Sequence, residues 1–381
     1  MIYLDNAATS YPKPNAVLEE MRRCMIESGG NAGRGSHVLA RRAAEELLSC
    51  REALADLMGL RDPLRVIFTM NATMAINTVL KGILSPGDHV LLSDLEHNAV
   101  WRPIDRMASE GRITYDVYPT HAERELPSAE RILFEIRRLL KPNTRMVIAV
   151  HASNICGAIL PLEAIGDLCR QRGMLFVVDG AQSAGHLPID MDRMKIDALC
   201  IPGHKGLLGP QGSGALLLSE RMEPSSLIEG GSGVYSLDAT MPEELPERLE
   251  AGTLAMPAVA GFLAGIRTVE ELGVEQISRH ERALCRRLKH RLEKHSTVRI
   301  LAPHLLGNLL SFVPLRFSSD ALGEALDARG FCVRAGHHCA ALAHQTLGSV
   351  ESGAVRVSPG LYTTSEEVDA FAEAVEEILT K

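Results

Sequence analysis

The sequence predicts an α/β protein with a mostly parallel central sheet flanked by helices. Between residues 65 and 219, short apolar runs rich in β-branched residues alternate with segments that follow helical spacing. Strands that are apolar on both faces are typical of a parallel sheet that crossover helices cover on each side. Polar residues directly follow several of these runs, and such sheets bind their ligands at the carboxyl ends of the strands.

The elements of this sheet follow in order along the chain. A strand at 65–69 precedes a helix whose apolar residues, from Ala72 to Leu80, recur with the period of one helix face. Further strands are predicted at 89–93, 113–118, 145–151 and 174–179. Pro161 opens a helix that ends at Gly173, immediately before the last of these strands.

The second half of the chain predicts a smaller C-terminal α/β domain. Residues 220–253 are rich in Gly, Ser, Pro and Glu without a clear period, which indicates a long functional or interface loop. Residues 257–295 have helical patterns, and strands at 309–314, 331–335 and 354–358 then mix with helices at 321–329 and from 365 onward. We expect a large domain of residues 16–255 and a small domain of residues 1–15 plus 256–381.

Composition and charge exclude several classes of protein. The formal net charge of -8, without a basic stripe or tail, argues against nucleic acid as a partner. The apolar runs are too short to cross a membrane, and the N-terminal residues lack the pattern of a signal peptide. The 8 cysteines contain no C-x-x-C pair, so neither a disulfide framework nor a metal site is predicted. We therefore expect a soluble, cytoplasmic protein with reduced thiols.

A lysine and an aspartate on neighbouring strands carry the strongest signal. Asp179 closes one apolar strand, and Lys205 follows the next in Gly203-His204-Lys205. Alone, the aspartate would be a turn cap and the lysine a surface residue. Together, with a glycine that permits close backbone approach, they can hold an aldehyde cofactor. The lysine forms a Schiff base, and the aspartate keeps a pyridine nitrogen protonated, which favours a pyridoxal-phosphate enzyme.

Other polar residues lie where such a cofactor would need them. Thr73, in Asn71-Ala72-Thr73, begins a helix whose N–H groups attract an anion, although a plain cap is its commoner role. His97 begins another helix, where it is either a cap or a ring that stacks on the cofactor. Gln182 and the distant Asn154 supply amides for a phenolic oxygen.

Cys339 differs from the other cysteines in its polar surroundings. It lies in Arg334-Ala335-Gly336-His337-His338-Cys339, where imidazole and guanidinium groups favour a reactive thiolate. Arg356 could bind a substrate carboxylate through a two-pronged ion pair, the alternative being a solvated surface arginine. With Lys205, these residues indicate an enzyme that takes sulfur or selenium from an amino acid. The remaining cysteines are predicted to be buried thiols: Cys24, Cys50, Cys156, Cys169, Cys200, Cys285 and Cys332.

Several motifs in the same order resemble the cysteine desulfurases of the class V aminotransferase family. The short spacing from Cys339 to Arg356 is similar to the Suf-type branch, which also includes selenocysteine lyase-like enzymes. The resemblance covers nearly the whole chain through Tyr3 to Thr9, Asn71-Ala72-Thr73, Glu96-His97, Asn154, Val178 to Gln182, Gly203-His204-Lys205, Glu250 to Thr253, Arg334 to Cys339, and Arg356.

The resemblance implies a homodimeric pyridoxal 5'-phosphate enzyme with the transferase fold of type I. Its large domain would bind the cofactor, and its small domain would carry the catalytic cysteine. Lys205 would bond the cofactor aldehyde, Asp179 would pair with the pyridine nitrogen, and His97 would stack on the ring. Gln182 and Asn154 would face the phenolic oxygen.

The resemblance also implies how the cofactor phosphate and the substrate are bound. The phosphate would meet Ala72, Thr73 and His204, with Thr253 reaching it from the partner subunit. Cys339 would attack the substrate sulfur. The residues implied for substrate binding are Arg356, Asn6, His37 and Arg334.

Two departures from the family pattern concern the phosphate and the subunit interface. Pro202 stands where the family usually has Ser or Thr, and proline offers neither a hydroxyl nor an N–H group. Thr253 is followed by Leu254-Ala255-Met256 instead of the usual Pro-Asn pair. We still expect the cofactor to bind, with more weight on Thr73, His204 and Thr253.

The expected reaction converts L-cysteine to L-alanine and leaves a persulfide on Cys339 for a sulfur-acceptor protein or a small thiol. L-selenocysteine is an alternative substrate, which makes selenocysteine lyase an alternative activity. An aminotransferase or another lyase on the same scaffold would keep Lys205 and Asp179 but need no Cys339. A non-enzymatic sulfur-transfer scaffold is the remaining alternative, and Pro202 gives it slight support.

Overall fold

The computed structural model describes residues 1–33, 35–305 and 307–380. The strands are β1 Ile2–Tyr3, β2 Val66–Thr69, β3 His89–Ser93, β4 Thr114–Tyr118, β5 Thr144–Val150, β6 Leu175–Asp179, β7 Ala198–Pro202, β8 Gly214–Leu218, β9 Val298–Ile300, β10 Leu310–Pro314, β11 Phe331–Cys332, β12 Arg334–Gly336 and β13 Ala354–Val357. The helices are α1 Asn15–Glu27, α2 Val38–Met58, α3 Ala72–Ile83, α4 Asn98–Ser109, α5 Ala129–Leu139, α6 Leu162–Arg172, α7 Met256–Leu272, α8 Val274–Leu292, α9 Ser319–Asp327, α10 Ala341–Thr346 and α11 Ser365–Thr380.

The central sheet confirms the predicted fold class. Within the described residues it has seven strands in the order β2-β8-β7-β6-β5-β3-β4. Strands β7, β6, β5, β3 and β4 pair in parallel, whereas β8 is antiparallel to both of its neighbours, β2 and β7. Strands β5 to β8 are almost wholly buried, because helices cover both faces of the sheet.

The predicted elements around this sheet agree with the structure to within a residue or two at most ends. The prediction at 89–93 coincides with β3, and that at 174–179 contains β6. Pro161 precedes α6, and Gly173 ends it with a φ of 71°, a left-handed conformation that glycine adopts without strain. The predicted long loop is confirmed, since no helix or strand in this described stretch lies between β8 and α7.

The C-terminal strands form a second sheet that the first residues of the chain join. Among the described residues, β12, β13, β10 and β9 form a four-stranded antiparallel sheet. Strand β1 pairs in parallel with β11, and Asp5 forms a β-bridge with Ser358. The apolar core below includes Leu4 of the N-terminal segment together with Phe312 of β10 and Phe371 of α11.

The N-terminal segment therefore packs with the C-terminal part of the fold. Helix α7, in contrast, packs against α1 and α2 and buries Phe262 and Ile266 in the core of the central sheet. The domain limits at residues 15 and 255 stay a prediction. No helix in the described ranges is both long and apolar enough to cross a membrane.

A buried ion pair fixes the segment that leads from the long loop to α7. Arg51 of α2 and Glu250 have side chains that are 3% and 7% exposed, and Arg51 Nη2 lies 2.6 Å from Glu250 Oε2. Glu250 Oε1 also accepts a hydrogen bond of 2.6 Å from Phe68 N in β2. The Arg51 guanidinium lies over the Phe68 ring, 4.7 Å from its centroid. This pair holds Glu250-Ala251-Gly252-Thr253 against the sheet.

We expect Arg51→Met to lower the free energy of unfolding by about 3–5 kcal/mol, because Glu250 would keep a buried charge without its partner. Urea denaturation followed by fluorescence and circular dichroism measures the loss. Arg61→Met is the matched control, because Arg61 forms a surface ion pair with Asp192 in which the arginine side chain is 85% exposed. Equal losses in the two variants would contradict a structural role for the buried pair.

Candidate active site

Two neighbouring strands bring Asp179 and Lys205 into one cavity. Asp179 is the last residue of β6, where it pairs in register with Cys200 of β7. Strand β7 ends at Pro202, and the turn Gly203-His204 carries the chain to Lys205. The cavity beside them is lined by residues that follow several strand ends: Asn71, Ala72, Thr73, Ile76, His97, Ala99, Val150, Asn154, Asp179, Ala181, Gln182, Pro202, His204 and Lys205.

Burial changes the proton affinity of both central groups. It lowers the pKa of Lys205 to about 8, although the nearby Asp179 carboxylate favours the charged amine. Burial raises the pKa of Asp179, opposed by a hydrogen bond of 2.9 Å from Ala181 N to Oδ1 and by the charge of Lys205. A larger fraction of Lys205 than of an ordinary lysine is therefore a free amine near neutral pH, which is the form that reacts with an aldehyde.

One end of the cavity suits an anion. Helix α3 begins there, and the Asn71 side chain caps it by accepting a hydrogen bond of 2.9 Å from Met74 N. The N-terminus of a helix offers further N–H groups and a positive dipole end to a phosphate. His204 Nδ1 is buried without a hydrogen-bond partner among the described residues, and such an atom is stabilised when a ligand supplies one. Pro202 lines the same cavity and adds no donor.

His97 caps a helix, as one of the two interpretations predicted, and the stacking role stays a prediction. It is the N-cap of α4, where its Nδ1 accepts a hydrogen bond of 3.0 Å from Ala99 N. Its ring also lines the cavity that contains Lys205. Burial, together with the charge of Lys205, lowers the pKa of His97 to about 4. A neutral ring at this position fits a flat aromatic ligand.

The two predicted amide residues line the cavity and also connect it to other segments. Gln182 Nε2 donates a hydrogen bond of 2.9 Å to Ala7 O in the N-terminal segment. Asn154 Nδ2 donates a hydrogen bond of 2.9 Å to His338 O, next to Cys339. Asn154 Oδ1 is buried without a partner among the residues described. The amides thus fix the two segments that border the cavity.

Cys339 lies in a tight turn tied to the cavity by two hydrogen bonds. His338 and Cys339 have φ angles of 50° and 55°, in the left-handed region that non-glycine residues rarely adopt. Asn154 Nδ2 donates to His338 O, and Asn98 N donates a hydrogen bond of 2.7 Å to Cys339 O. The thiol is exposed, and its Sγ lies 3.8 Å from Arg334 Nη2. This turn presents the sulfur next to the start of α4.

The other cysteines contrast with Cys339. Burial raises the pKa of the Cys24 thiol to about 11, and it raises the pKa of Cys50, Cys200 and Cys285 as well. The predicted burial was wrong for Cys332, which is half-buried because β11 is a short edge strand paired only with β1 in the described chain. The six cysteines that are buried as predicted are Cys24, Cys50, Cys156, Cys169, Cys200 and Cys285.

Arg356 is a buried residue of β13, which excludes the surface alternative. Its side chain is 1% exposed. Arg356 Nη2 donates a hydrogen bond of 2.8 Å to Asp5 Oδ1, and Nη1 donates one of 3.2 Å to Asn154 O. Arg356 Nε is buried without a partner in the described part of the chain. The arginine therefore retains one unfilled donor beside its ion pair.

Three other predicted residues lie outside the lining of this cavity. Asn6 is buried, and its amide donates to Ser358 O at 3.0 Å and accepts from Tyr11 N at 3.1 Å. His37 is exposed and caps α2 by accepting a hydrogen bond from Ala40 N. Thr253 is exposed, with its hydroxyl 3.4 Å from Asn31 Nδ2. Their proposed contacts with substrate or with the partner's cofactor stay predictions.

Sequence reasoning missed two acidic residues near the site. Asp5, quoted only as part of the N-terminal motif, is the ion-pair partner of Arg356. Glu96, next to His97, is fully buried, and its Oε1 accepts hydrogen bonds from Ser93 Oγ at 2.6 Å and Val150 N at 2.7 Å. Burial raises the pKa of Glu96 to about 8. The available signal was that both residues directly follow a leucine, Leu4 or Leu95, close behind an apolar run.

Known families and proteins match this chain over almost its full length. The model of the family Aminotransferase class-V matches residues 2–371. A probable cysteine desulfurase of Methanothermobacter thermautotrophicus is 33% identical over 99% of this chain and 94% of the relative. A probable cysteine desulfurase of Mycolicibacterium paratuberculosis is 34% identical over 99% of this chain, and the chain spans 55% of that longer relative.

Solved structures share the fold. The apo structure of a cysteine desulfurase from Thermococcus onnurineus has a TM-score of 0.88 and 30% identity, and the match covers 100% of this chain and 94% of that one. The cysteine desulfurase CsdA of Escherichia coli, in an S-sulfonic acid form, also has a TM-score of 0.88 and 30% identity, over 99% of this chain and 94% of its own.

Lys205 should react with pyridoxal phosphate at a lower pH than an ordinary lysine does. Because burial lowers its pKa from 10.5 to about 8, the free-amine fraction rises as the pH rises through about 8. Stopped-flow absorbance of the cofactor-free protein mixed with pyridoxal phosphate, from acid to alkaline pH, should show the rate levelling off above that value. A rate that keeps rising through the ordinary lysine range would contradict the buried environment, and Lys205→Arg gives the background.

Proposed function

The chain belongs to the class-V aminotransferase family, whose members depend on pyridoxal phosphate, and we propose that it is a cysteine desulfurase that converts L-cysteine to L-alanine. Cys339 is the proposed sulfur acceptor. One observation carries the proposal: an exposed thiol lies in a turn that is hydrogen-bonded to Asn154 and to Asn98, beside the cavity of Lys205 and Asp179. A transamination site needs no such thiol. The names of the similar proteins support the same reading.

The residues around the cavity fit pyridoxal phosphate. The buried amine of Lys205 suits its aldehyde, and the Asp179 carboxylate suits a protonated pyridine nitrogen. His97 offers a neutral ring for stacking, and the start of α3 with His204 Nδ1 offers donors to a phosphate. When bound, the cofactor supplies an electron sink that stabilises negative charge at the Cα atom of the substrate.

Arg356 and Lys205 have separate tasks in the proposed reaction. Arg356 binds the substrate carboxylate, because it is the buried guanidinium beside Asn154 and has an unfilled Nε donor. Lys205 Nζ accepts the Cα proton as a free amine, which the lowered pKa of about 8 makes available near neutral pH. The resulting ammonium group then donates a proton as alanine forms.

In the proposed reaction, Cys339 takes the sulfur atom from the substrate. Its Sγ, as thiolate, attacks the sulfur of the substrate, so that a new S–S bond forms while the Cβ–S bond breaks. The electron pair of the broken bond stays with the substrate carbon, which gains a proton and becomes the methyl group of alanine. The products are L-alanine and a persulfide on Cys339. Arg334 Nη2 donates to Sγ at 3.8 Å and so helps to position the sulfur before the attack.

The proposal includes a homodimer and an external sulfur acceptor. Thr253 and His37 are both exposed and lie outside the cavity of their own chain, which is consistent with a contact to the partner subunit. The buried Arg51–Glu250 pair would hold Thr253 in place for that contact. The exposure of Cys339 would let an acceptor protein or a small thiol reach the persulfide. The Suf-type branch assignment rests on sequence spacing alone.

We expect Cys339→Ala to keep the absorbance of bound cofactor and to lose at least about 100-fold in alanine formation from L-cysteine, because the nucleophile is removed. Alanine is quantified after reaction under reducing conditions, and mass spectrometry of the parent detects the added sulfur on Cys339. Cys332→Ala, at the half-buried cysteine of β11, is the matched control and should keep the parent activity.

The outcome separates the rival functions. Alanine formation from L-cysteine that survives fully in Cys339→Ala would refute the assigned role of this thiol. Turnover that depends on an added keto acid, with no persulfide, would identify an aminotransferase. Alanine release from L-selenocysteine but not from L-cysteine would identify a selenocysteine lyase.

A further inference from the structure

The segment from Tyr3 to Thr9 holds Asp5 against the site of Arg356. Asn6 N donates to Ser358 O at 3.2 Å, and Ser358 N donates to Leu4 O at 2.8 Å, so the backbone on both sides of Asp5 is bonded to the end of β13. Tyr3 Oη also donates to Asp5 O at 3.1 Å. The backbone of Asp5 is therefore fixed, and only its side chain can change position.

The side chain of Asp5 accepts a hydrogen bond from only one of two neighbouring donors on the Arg356 guanidinium. Its Oδ1 accepts from Nη2 at 2.8 Å, while Nε, the neighbouring donor, is buried without a partner in the described residues. A guanidinium presents Nε and Nη2 as one edge that matches both oxygens of a carboxylate. Asp5 thus bonds one of the two donors on this edge, whereas a free carboxylate would bond both.

The two partners of this ion pair differ in access to water. The Asp5 side chain is 19% exposed and that of Arg356 is 1% exposed. Asp5 can turn its charge toward water at a modest cost, whereas Arg356 would become an uncompensated buried cation if nothing replaced the aspartate. A second carboxylate at Arg356 would therefore displace Asp5 and leave the arginine in place.

We propose that Asp5 occupies the place of the substrate carboxylate at Arg356. The Asp5 carboxylate neutralises the Arg356 guanidinium until the substrate displaces it. The proposal rests on the proposed function, in which Arg356 receives the carboxylate of the amino acid. Asp5 is a positioning residue that competes with the substrate, so it weakens the binding of carboxylates. It also restricts the site to ligands that bind both Nε and Nη2, because a weaker ligand does not displace it.

The first test is the effect of Asp5→Asn on the Michaelis constant. Without the competing charge, KM for L-cysteine should fall by about tenfold while kcat changes little, because a charged hydrogen bond no longer has to be broken. Asp167→Asn is the charge-matched control, because Asp167 is exposed on α6. Asp5→Glu, which keeps the charge, should keep KM close to that of the parent. A rise in KM for Asp5→Asn would show that Asp5 only orients Arg356 and would overturn the proposal.

The second test uses acetate as a carboxylate probe, and its thermal readout needs no turnover. In Asp5→Asn, acetate should raise the thermal midpoint and inhibit competitively at concentrations about tenfold lower than in the parent, since it occupies the vacated charge site. The double variant Asp5→Asn with Arg356→Gln should lose both responses. Equal acetate responses in the parent and in Asp5→Asn would overturn the proposal, even if Asp5→Asn is less stable.

The two tests distinguish this proposal from the proposed function. If the parent forms no alanine from L-cysteine, the desulfurase assignment fails, but the acetate titration still reports on competition at Arg356. If alanine forms normally and acetate binds no better to Asp5→Asn, the proposed role of Asp5 fails and the desulfurase assignment is unaffected.

Discussion

The parallel pairing of β6 with β7 is the constraint on which the site depends. Parallel neighbours end at the same edge of a sheet, so the carboxylate of Asp179 and the amine of Lys205 face one cavity. Helices on both faces keep water away from these strands, and this burial lowers the pKa of Lys205 to about 8 while it raises that of Asp179. The turn with His204 follows β7, and the start of α3, which follows β2, lines the same cavity.

Segments distant in sequence complete the site around that edge. Gln182 binds the N-terminal segment through Ala7 O, and Asn154 binds the Cys339 turn through His338 O. Arg356 then contacts Asn154 O and Asp5 together. The N-terminal segment and the turn that carries the thiol are therefore both held beside the cavity. The proposed chemistry uses both, because one would compete for Arg356 with the substrate carboxylate and the other would present the proposed sulfur acceptor.

The sequence predicted the sheet and its central residues because their signals are local. Strands buried on both faces are visible as apolar runs; Asp179 closes one such run, and Lys205 follows the next after a short turn. The antiparallel direction of β8 was not predicted, because direction depends on connections and leaves no mark on composition. The ion pair of Arg356 with Asp5 joins residues 351 positions apart and has no local pattern. The proposed contact of Thr253 with a cofactor would depend on a second subunit.

The central claim is that Lys205 is the residue that binds the cofactor aldehyde. The most direct test is reduction of the pyridoxal-phosphate-loaded protein with borohydride, followed by peptide mapping with mass spectrometry. Our account predicts a single pyridoxyl label on the peptide that contains Gly203-His204-Lys205. A label on another lysine, or no label on a protein that binds the cofactor, would contradict it.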